Sequence, residues 1–259
     1  MSAELKRSSH GQTLILTISN PEQHNALGPE IYSAGVEALS LAENSSDIRS
    51  VILVGEGSTF CSGGNLKRLQ ANRQQPASVQ AQSIDALHGW IEAIRTFPKP
   101  VIAAVEGAAA GAGFSLALAC DLVVAASNAY FVMAYSNVAL SPDGGASWNL
   151  ARALPRQLAT EILMCGDRIS PQRLHELGLV NQVATPGLAL SGALTLSTRL
   201  NERAPNALNS IKALINDAPH NSLVDQLSFE RDHFVRNLHH ANAGIGITAF
   251  LSKSTPRFE

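Results

Sequence analysis

Apolar and polar positions change period several times along the first half of the chain. Residues 14–18 (LILTI) form an apolar run that stops at the turn-forming pair Asn20-Pro21, and residues 51–54 (VILV) form a second run that ends in Gly55-Glu56-Gly57. Both predict buried strands. Between them, Ile31, Val36, Leu39 and Ala42 recur at roughly helical spacing within residues 29–42, so the order is strand, helix, strand. Residues 70–83 are rich in Gln, Asn, Ser and Ala, contain Pro76 and show no apolar period. They are expected to form a mobile surface excursion. A helix is then predicted with Ile84, Leu87, Ile91 and Ile94 as its core face, stopping before Pro98-Lys99-Pro100.

After these prolines, residues 101–105 read as a buried strand, 107–113 as a small-residue turn, 114–120 as a helix and 122–126 as another strand. Beyond Pro155 the pattern is helical. Ser170-Pro171 is an N-cap followed by proline at the first helical position, Gly178 is a C-terminal cap, and further helices are predicted over 189–200, 205–215 and 223–239. Alternating strands and helices followed by helices alone predict an α/β core over residues 1–200 and a helical region over 201–259.

With 259 residues, 45% of them hydrophobic and 15% charged, the chain has material for a sizeable core. The 19 Lys and Arg nearly balance 21 Asp and Glu without blocks of like charge, so no footprint for nucleic acid or an anionic membrane is present. Cys61, Cys120 and Cys165 are odd in number and widely spaced, which fits reduced thiols packed in the core of a cytoplasmic protein and neither a disulfide framework nor a metal site. Residues 1–10 are polar, and the longest apolar run, 108–120, is interrupted by Gly and too short to cross a bilayer.

Two glycine-containing turns follow predicted strands: Ser62-Gly63-Gly64-Asn65-Leu66 and Gly111-Ala112-Gly113. Small residues there let backbone N–H groups approach a ligand, and a helix opening at the second turn aims its free N–H groups at a developing oxyanion. The bland alternative is glycine serving only turn geometry and strand–helix packing. A dinucleotide site fits poorly, because Leu116 stands where close packing needs a small residue, and a P-loop is excluded by the missing Gly-Lys-Ser/Thr. Gly113-Phe114-Ser115-Leu116-Ala117 is one residue from a nucleophile elbow, with Asp143 and His175 following in hydrolase order, so a serine hydrolase stays open.

The block from Lys99 to Asp121, KPVIAAVEGAAAGAGFSLALACD, closely resembles the central motif of the crotonase (enoyl-CoA hydratase/isomerase) superfamily. So do residues 60–69, FCSGGNLKRL, with Asn20-Pro21, Asn25-Ala26-Leu27, 131–136 (FVMAYS), 163–169, 178–180 and 248–253 (TAFLSK) in the same order. The resemblance implies a spiral of ββα turns, a C-terminal helical trimerisation region and a homotrimer or dimer of trimers. It implies an acyl-CoA thioester as substrate, with no separate cofactor. The family's two oxyanion donors carry over onto the N–H groups of Gly64 and Ala112. Contacts to CoA and acyl group carry over onto Asn25 and Ala26, onto the loop of Ser62, Gly63, Asn65, Leu66 and Lys67, and onto Gly111. Phe250 and Lys253 match C-terminal residues that reach the nucleotide end of CoA, with plain helix packing an equal reading for Phe250, and Lys67, Arg68 and Lys253 supply charge for its phosphates.

Where related hydratases carry two glutamates that hold water, this chain has Ser115 and Tyr135, which are expected to line the acyl pocket. Neither is a useful base at neutral pH. Residues 140–148 (LSPDGGASW) return one carboxylate, Asp143, in a turn; the plain alternative is an Asx-turn or helix cap. The pattern resembles the enoyl-CoA isomerases that use a single Asp at this position, including those acting on ring-opened or epoxidised phenylacetyl-CoA. A 1,3-proton shift needs one carboxylate whereas hydration must also position water, so isomerisation by Asp143 is favoured over hydration, with a serine thioesterase-like hydrolase or a non-catalytic acyl-CoA-binding relative behind them.

Overall fold

The computed structural model describes residues 3–258. Six strands form one sheet in the order β1 (Glu4–His10), β2 (Thr13–Ser19), β3 (Ser50–Gly55), β4 (Val101–Val105), β6 (Leu122–Ala126) and β8 (Gln182–Ala184). β1 pairs antiparallel with β2, and every later pair is parallel. Parallel strands are covered on both faces, which is why β3 and β4 are buried throughout and read as uninterrupted apolar runs. β1 escaped the sequence reading because it is an edge strand, exposed except at Leu5, and its backbone rather than an apolar face holds it in place. Two further short strands, β5 (Ala108–Ala110) and β7 (Tyr130–Val132), pair in parallel, and the first of them lies within the stretch 107–113 where a plain turn was expected.

One face of the main sheet packs on α8 (Ala189–Asn201) through Ile52, Ile102, Val124 and Ala193. The other face packs on α1 (Pro29–Glu43), α3 (Ala77–Thr96) and α4 (Ala112–Ala119). In α1 the buried side chains include Ile31, Tyr32, Ala38 and Leu39, and Val36 points outward, contrary to the expectation. The Trp90 indole of α3 lies so close to Gly35 that a Cβ there would sit 2.2 Å from its Nε1.

The excursion expected over 70–83 is instead the end of α2 (Leu66–Asn72) and the first turns of α3. Those turns face solvent, so no apolar period develops, and Ala and Gln favour helix without it. The core face of α3 is Leu87, Trp90, Ile91 and Ile94, with Ile84 only half-buried. Past β7, α5 (Ala146–Ala153), α6 (Arg156–Cys165) and α7 (Pro171–Glu176) precede β8, and the Ser170 Oγ caps α7 by accepting from the Arg173 N–H at 3.2 Å. The chain closes with α9 (Pro205–Asp217), α10 (Leu223–Leu238) and α11 (Ala241–Ser252). Lys212 ties α9 to the core by donating to Asp121 Oδ2 at 2.8 Å and to the Ile94 carbonyl at 3.0 Å.

Cys61 and Cys120 are core residues as expected, but Cys165 is exposed at the end of α6. Among the described residues no helix is long and apolar enough to cross a membrane.

Candidate active site

The two glycine turns meet at the edge of the small sheet. The Cys61 N–H donates to Ala108 O at 2.9 Å, and the Ala110 N–H donates back to Cys61 O at 2.9 Å, so the first turn is stitched to β5. Gly63 then passes at φ +91°, where a Cβ would stand 2.7 Å from Ala110 O and 3.3 Å from the Ala112 nitrogen. Only glycine permits this approach, and it brings the turn that carries Gly64 against the start of α4 at Ala112. Gly111, at φ +51°, turns the chain into α4, whose first residue is Ala112. Among the described residues no carbonyl takes the N–H of Gly64 or Ala112. A helix has no internal acceptor for its first N–H groups, and its dipole adds positive potential there.

Asp143 approaches the same helix end from the loop after β7. Its carboxylate Oδ1 accepts from the Tyr135 hydroxyl at 2.5 Å. Its carbonyl accepts from the Ser115 Oγ at 2.9 Å and from the Ala146 N–H at 3.2 Å. The carboxylate does not cap α5, which starts from Gly145 without a side-chain cap, so the helix-cap alternative is not what is found. Gly144, at φ +60°, packs so tightly that a Cβ would lie 2.9 Å from the Ser115 Cβ. The Gly144 N–H points to His88 Nε2 at 3.4 Å. Backbone, serine and glycine thus fix the turn, and tyrosine fixes the side chain.

Burial, then the charge of Asp143 and the hydrogen bond to it, push the Tyr135 phenol well above the ordinary tyrosine range. It remains a donor at neutral pH. Its ring lies against the tight turn, 3.6 Å from where a Gly111 Cβ would be. Tyr32, buried in α1, is also pushed up, by burial first; Arg68 pulls it down and Asp143 adds to the rise. The Cys61 thiol, held in the core and opposed only by the Gly63 N–H, rises to about 12 and is no nucleophile.

Other expected site residues fall in several places. Ser115 has 0% exposure and spends its proton on Asp143 O, so it braces the turn and faces no ligand directly; among the described residues no histidine bonds to it, as a hydrolase nucleophile would need. Asn25 is also sealed, its amide donating to Glu56 O at 2.9 Å and Thr59 O at 2.6 Å while its Oδ1 accepts from the Asn20 N–H at 3.0 Å. It shapes the loop, at φ +57°, and Ala26 is buried beside it. Ser62 donates to Gln23 O at 3.1 Å and Asn65 caps α2, while Leu66 and Lys67 are exposed at its start. Arg68 departs from expectation: it folds inward, its Nη1 2.9 Å from where a Gly28 Cβ would be, with Nε buried and without a partner. Phe250 and Lys253 sit at the exposed end of α11, which packs chiefly on α10. Tyr32 of α1, which feels the Asp143 charge, and His88 of α3, which meets the Gly144 N–H, were not foreseen near this turn. No group of three or more metal-ligating side chains occurs among the described residues.

The chain is similar to known proteins over nearly its whole length. The family model described as enoyl-CoA hydratase/isomerase matches residues 9–259. The 1,2-epoxyphenylacetyl-CoA isomerase of Escherichia coli (strain K12) is 35% identical over 246 residues, covering 95% of this chain and 94% of the relative. The 2,3-dehydroadipyl-CoA hydratase of the same organism is 31% identical, covering 99% of each. The crystal structure of an enoyl-CoA hydratase from Polaromonas sp. JS666 superposes with a TM-score of 0.98 at 70% identity, covering 99% of this chain and 100% of that one.

Proposed function

The chain belongs to the enoyl-CoA hydratase/isomerase family, and from that premise we propose that it moves a carbon–carbon double bond within an acyl-CoA thioester, using Asp143 as the one proton-carrying carboxylate. The observation that carries this reading is the pairing of Asp143 with Tyr135, beside the unpartnered N–H groups of Gly64 and Ala112. The thioester carbonyl oxygen accepts both N–H groups. Asp143 takes a proton from one carbon of the enoyl chain, the electron pair moves onto the carbonyl oxygen as an enolate, and the same carboxyl returns the proton two carbons away. The bonds to that oxygen strengthen as charge develops, and one such donor contributes about 3 kcal/mol to lowering the barrier.

Tyr135 positions the carboxylate and leaves its second oxygen for the substrate, and Ser115 holds the backbone beneath it. Hydration needs a second group to orient water, and both residues at the positions of the hydratase glutamates are already committed to Asp143. The CoA portion lies along the loop from Ser62 to Lys67, with Lys67 and Lys253 as its charged contacts. Hydration remains the competing reading, because it is the activity named for the Polaromonas protein at 70% identity.

The test is incubation with a 3-enoyl-CoA and a 2-enoyl-CoA, followed by mass spectrometry. Isomerisation leaves mass unchanged in ordinary water and moves the double bond. A product heavier by one water, formed faster than any isomer, contradicts the proposal.

A further inference from the structure

The end of α4 remote from Ala112 opens on a second cavity of about 440 Å3, formed where α3, α4, α5 and α9 converge. Its wall is apolar, with Ala119, Leu122, Leu208, Ile211 and Ile215, and its rim carries Arg95, Arg152 and Lys212 against one carboxylate, Asp121. Lys212 uses that carboxylate, at 2.8 Å. The guanidinium carbons of Arg95 and Arg152 lie 4.4 Å and 4.0 Å from the centroid of the same Trp148 ring. Arg95 also donates to two neutral amides, Asn149 Oδ1 at 3.3 Å and Asn216 Oδ1 at 3.2 Å. Among the described residues, neither arginine has a carboxylate within ion-pairing distance. Two like charges are therefore gathered on one aromatic ring at the mouth of an apolar hollow, and the one nearby carboxylate, Asp121, is bonded directly to Lys212 and acts on Arg95 only from a distance.

We propose that this cavity is a second ligand site, separate from the Asp143 turn, that takes a small amphipathic carboxylate. The charge excess selects an anion, and the planar guanidinium donors match a carboxylate group. The apolar wall provides for an alkyl or aryl tail, and the volume lies in the range of small-molecule sites. A nucleotide or inorganic phosphate leaves that wall unused. Burial is the main influence disfavouring the charged form of Arg95, Asp121 offsets part of it, and Arg152 adds a smaller repulsion that a bound carboxylate relieves.

The experiment is calorimetric titration of the whole protein with octanoate, with octylamine as the control of opposite charge, alongside Trp148 fluorescence. The expected result is one octanoate per subunit, no octylamine binding, a dissociation constant raised about 10-fold in Arg152→Gln, and no displacement by saturating free CoA. Trp148→Phe abolishes the octanoate-dependent fluorescence change, and thermal melting checks that both variants are folded. Absence of octanoate binding, equal affinity in the folded Arg152→Gln protein, or displacement by CoA overturns the proposal.

Discussion

The hydroxyl of Tyr135 donates to Oδ1 of Asp143 at 2.5 Å, joining one of the two positions that match hydratase glutamates to the one carboxylate of the neighbouring turn. The bond gives the carboxylate one orientation and keeps a polar partner for it in a half-buried pocket. Tyr135→Phe retains the ring against Gly111 and loses only the donor. It is expected to lower kcat about 10-fold through loss of orientation, with a smaller change in KM. Steady-state kinetics on a 3-enoyl-CoA checks this, and an unchanged kcat removes the positioning role.

The same residue predicts a stability difference at high pH. The folded chain holds the Tyr135 proton more tightly than the unfolded chain, which releases it near pH 10. Below about pH 10 both states keep the proton and the group adds no pH dependence; above it, stability falls as pH rises. Urea unfolding between pH 9 and 11 should show a steeper decline for the parent than for Tyr135→Phe. Parallel curves contradict the assignment.

Gly144→Ala places a Cβ 2.9 Å from the Ser115 Cβ on a residue held at φ +60°. The strain is expected to cost about 1–3 kcal/mol and to displace Asp143, lowering kcat more than Ser115→Ala does. Ser115→Ala leaves one carbonyl less well satisfied and loses about 1–2 kcal/mol, and the parent is expected to give no fluorophosphonate adduct. A covalent adduct on Ser115 in the parent enzyme restores the hydrolase reading. Melting curves, kinetics and intact mass resolve these outcomes.

What the sequence disclosed and what it hid divide along physical lines. β3, β4 and β6 were legible because parallel strands covered on both faces are written as continuous apolar runs. The Asp143 turn was legible through Pro142-Asp143-Gly144-Gly145, and Gly64 and Ala112 through the family resemblance. β1 and the first turns of α3 were hidden because exposed elements need no apolar period. Tyr32 and His88 were hidden for another reason: they come from separate helices, and only tertiary packing brings Tyr32 within the field of the Asp143 charge and His88 onto the Gly144 N–H. Arg68 shows the limit most clearly, since a basic residue next to exposed Lys67 reads as a surface charge and is instead turned inward.

The helices α10 and α11 leave large apolar side chains uncovered, among them Leu223, Phe234 and Phe250, the last 85% exposed. Such a surface marks a contact with another chain, and the family resemblance supplies the partner as further copies. The protein is expected to run as a trimer or hexamer by size exclusion with light scattering. A monodisperse monomer at micromolar concentration removes Phe250 and Lys253 from any shared CoA site.

Gly63→Ala probes the paired N–H groups without touching a titratable side chain. Its Cβ would meet Ala110 O at 2.7 Å and push Gly64 away from Ala112. Loss of one aligned donor corresponds to about 100- to 1,000-fold in kcat. A variant that folds and turns over like the parent shows that these N–H groups do not hold the developing oxyanion.

The most direct test of the central claim is deuterium exchange into a saturated acyl-CoA, measured for the parent and for Asp143→Asn. The amide keeps the side chain's shape and lacks useful basicity, while the Gly64 and Ala112 N–H groups are unaltered, so thioester binding should be preserved. The account predicts rapid exchange at the α-carbon in the parent and a rate lower by about 100- to 10,000-fold in the variant, with little change in affinity. Exchange in Asp143→Asn at the parental rate would contradict it and leave Asp143 as a turn residue.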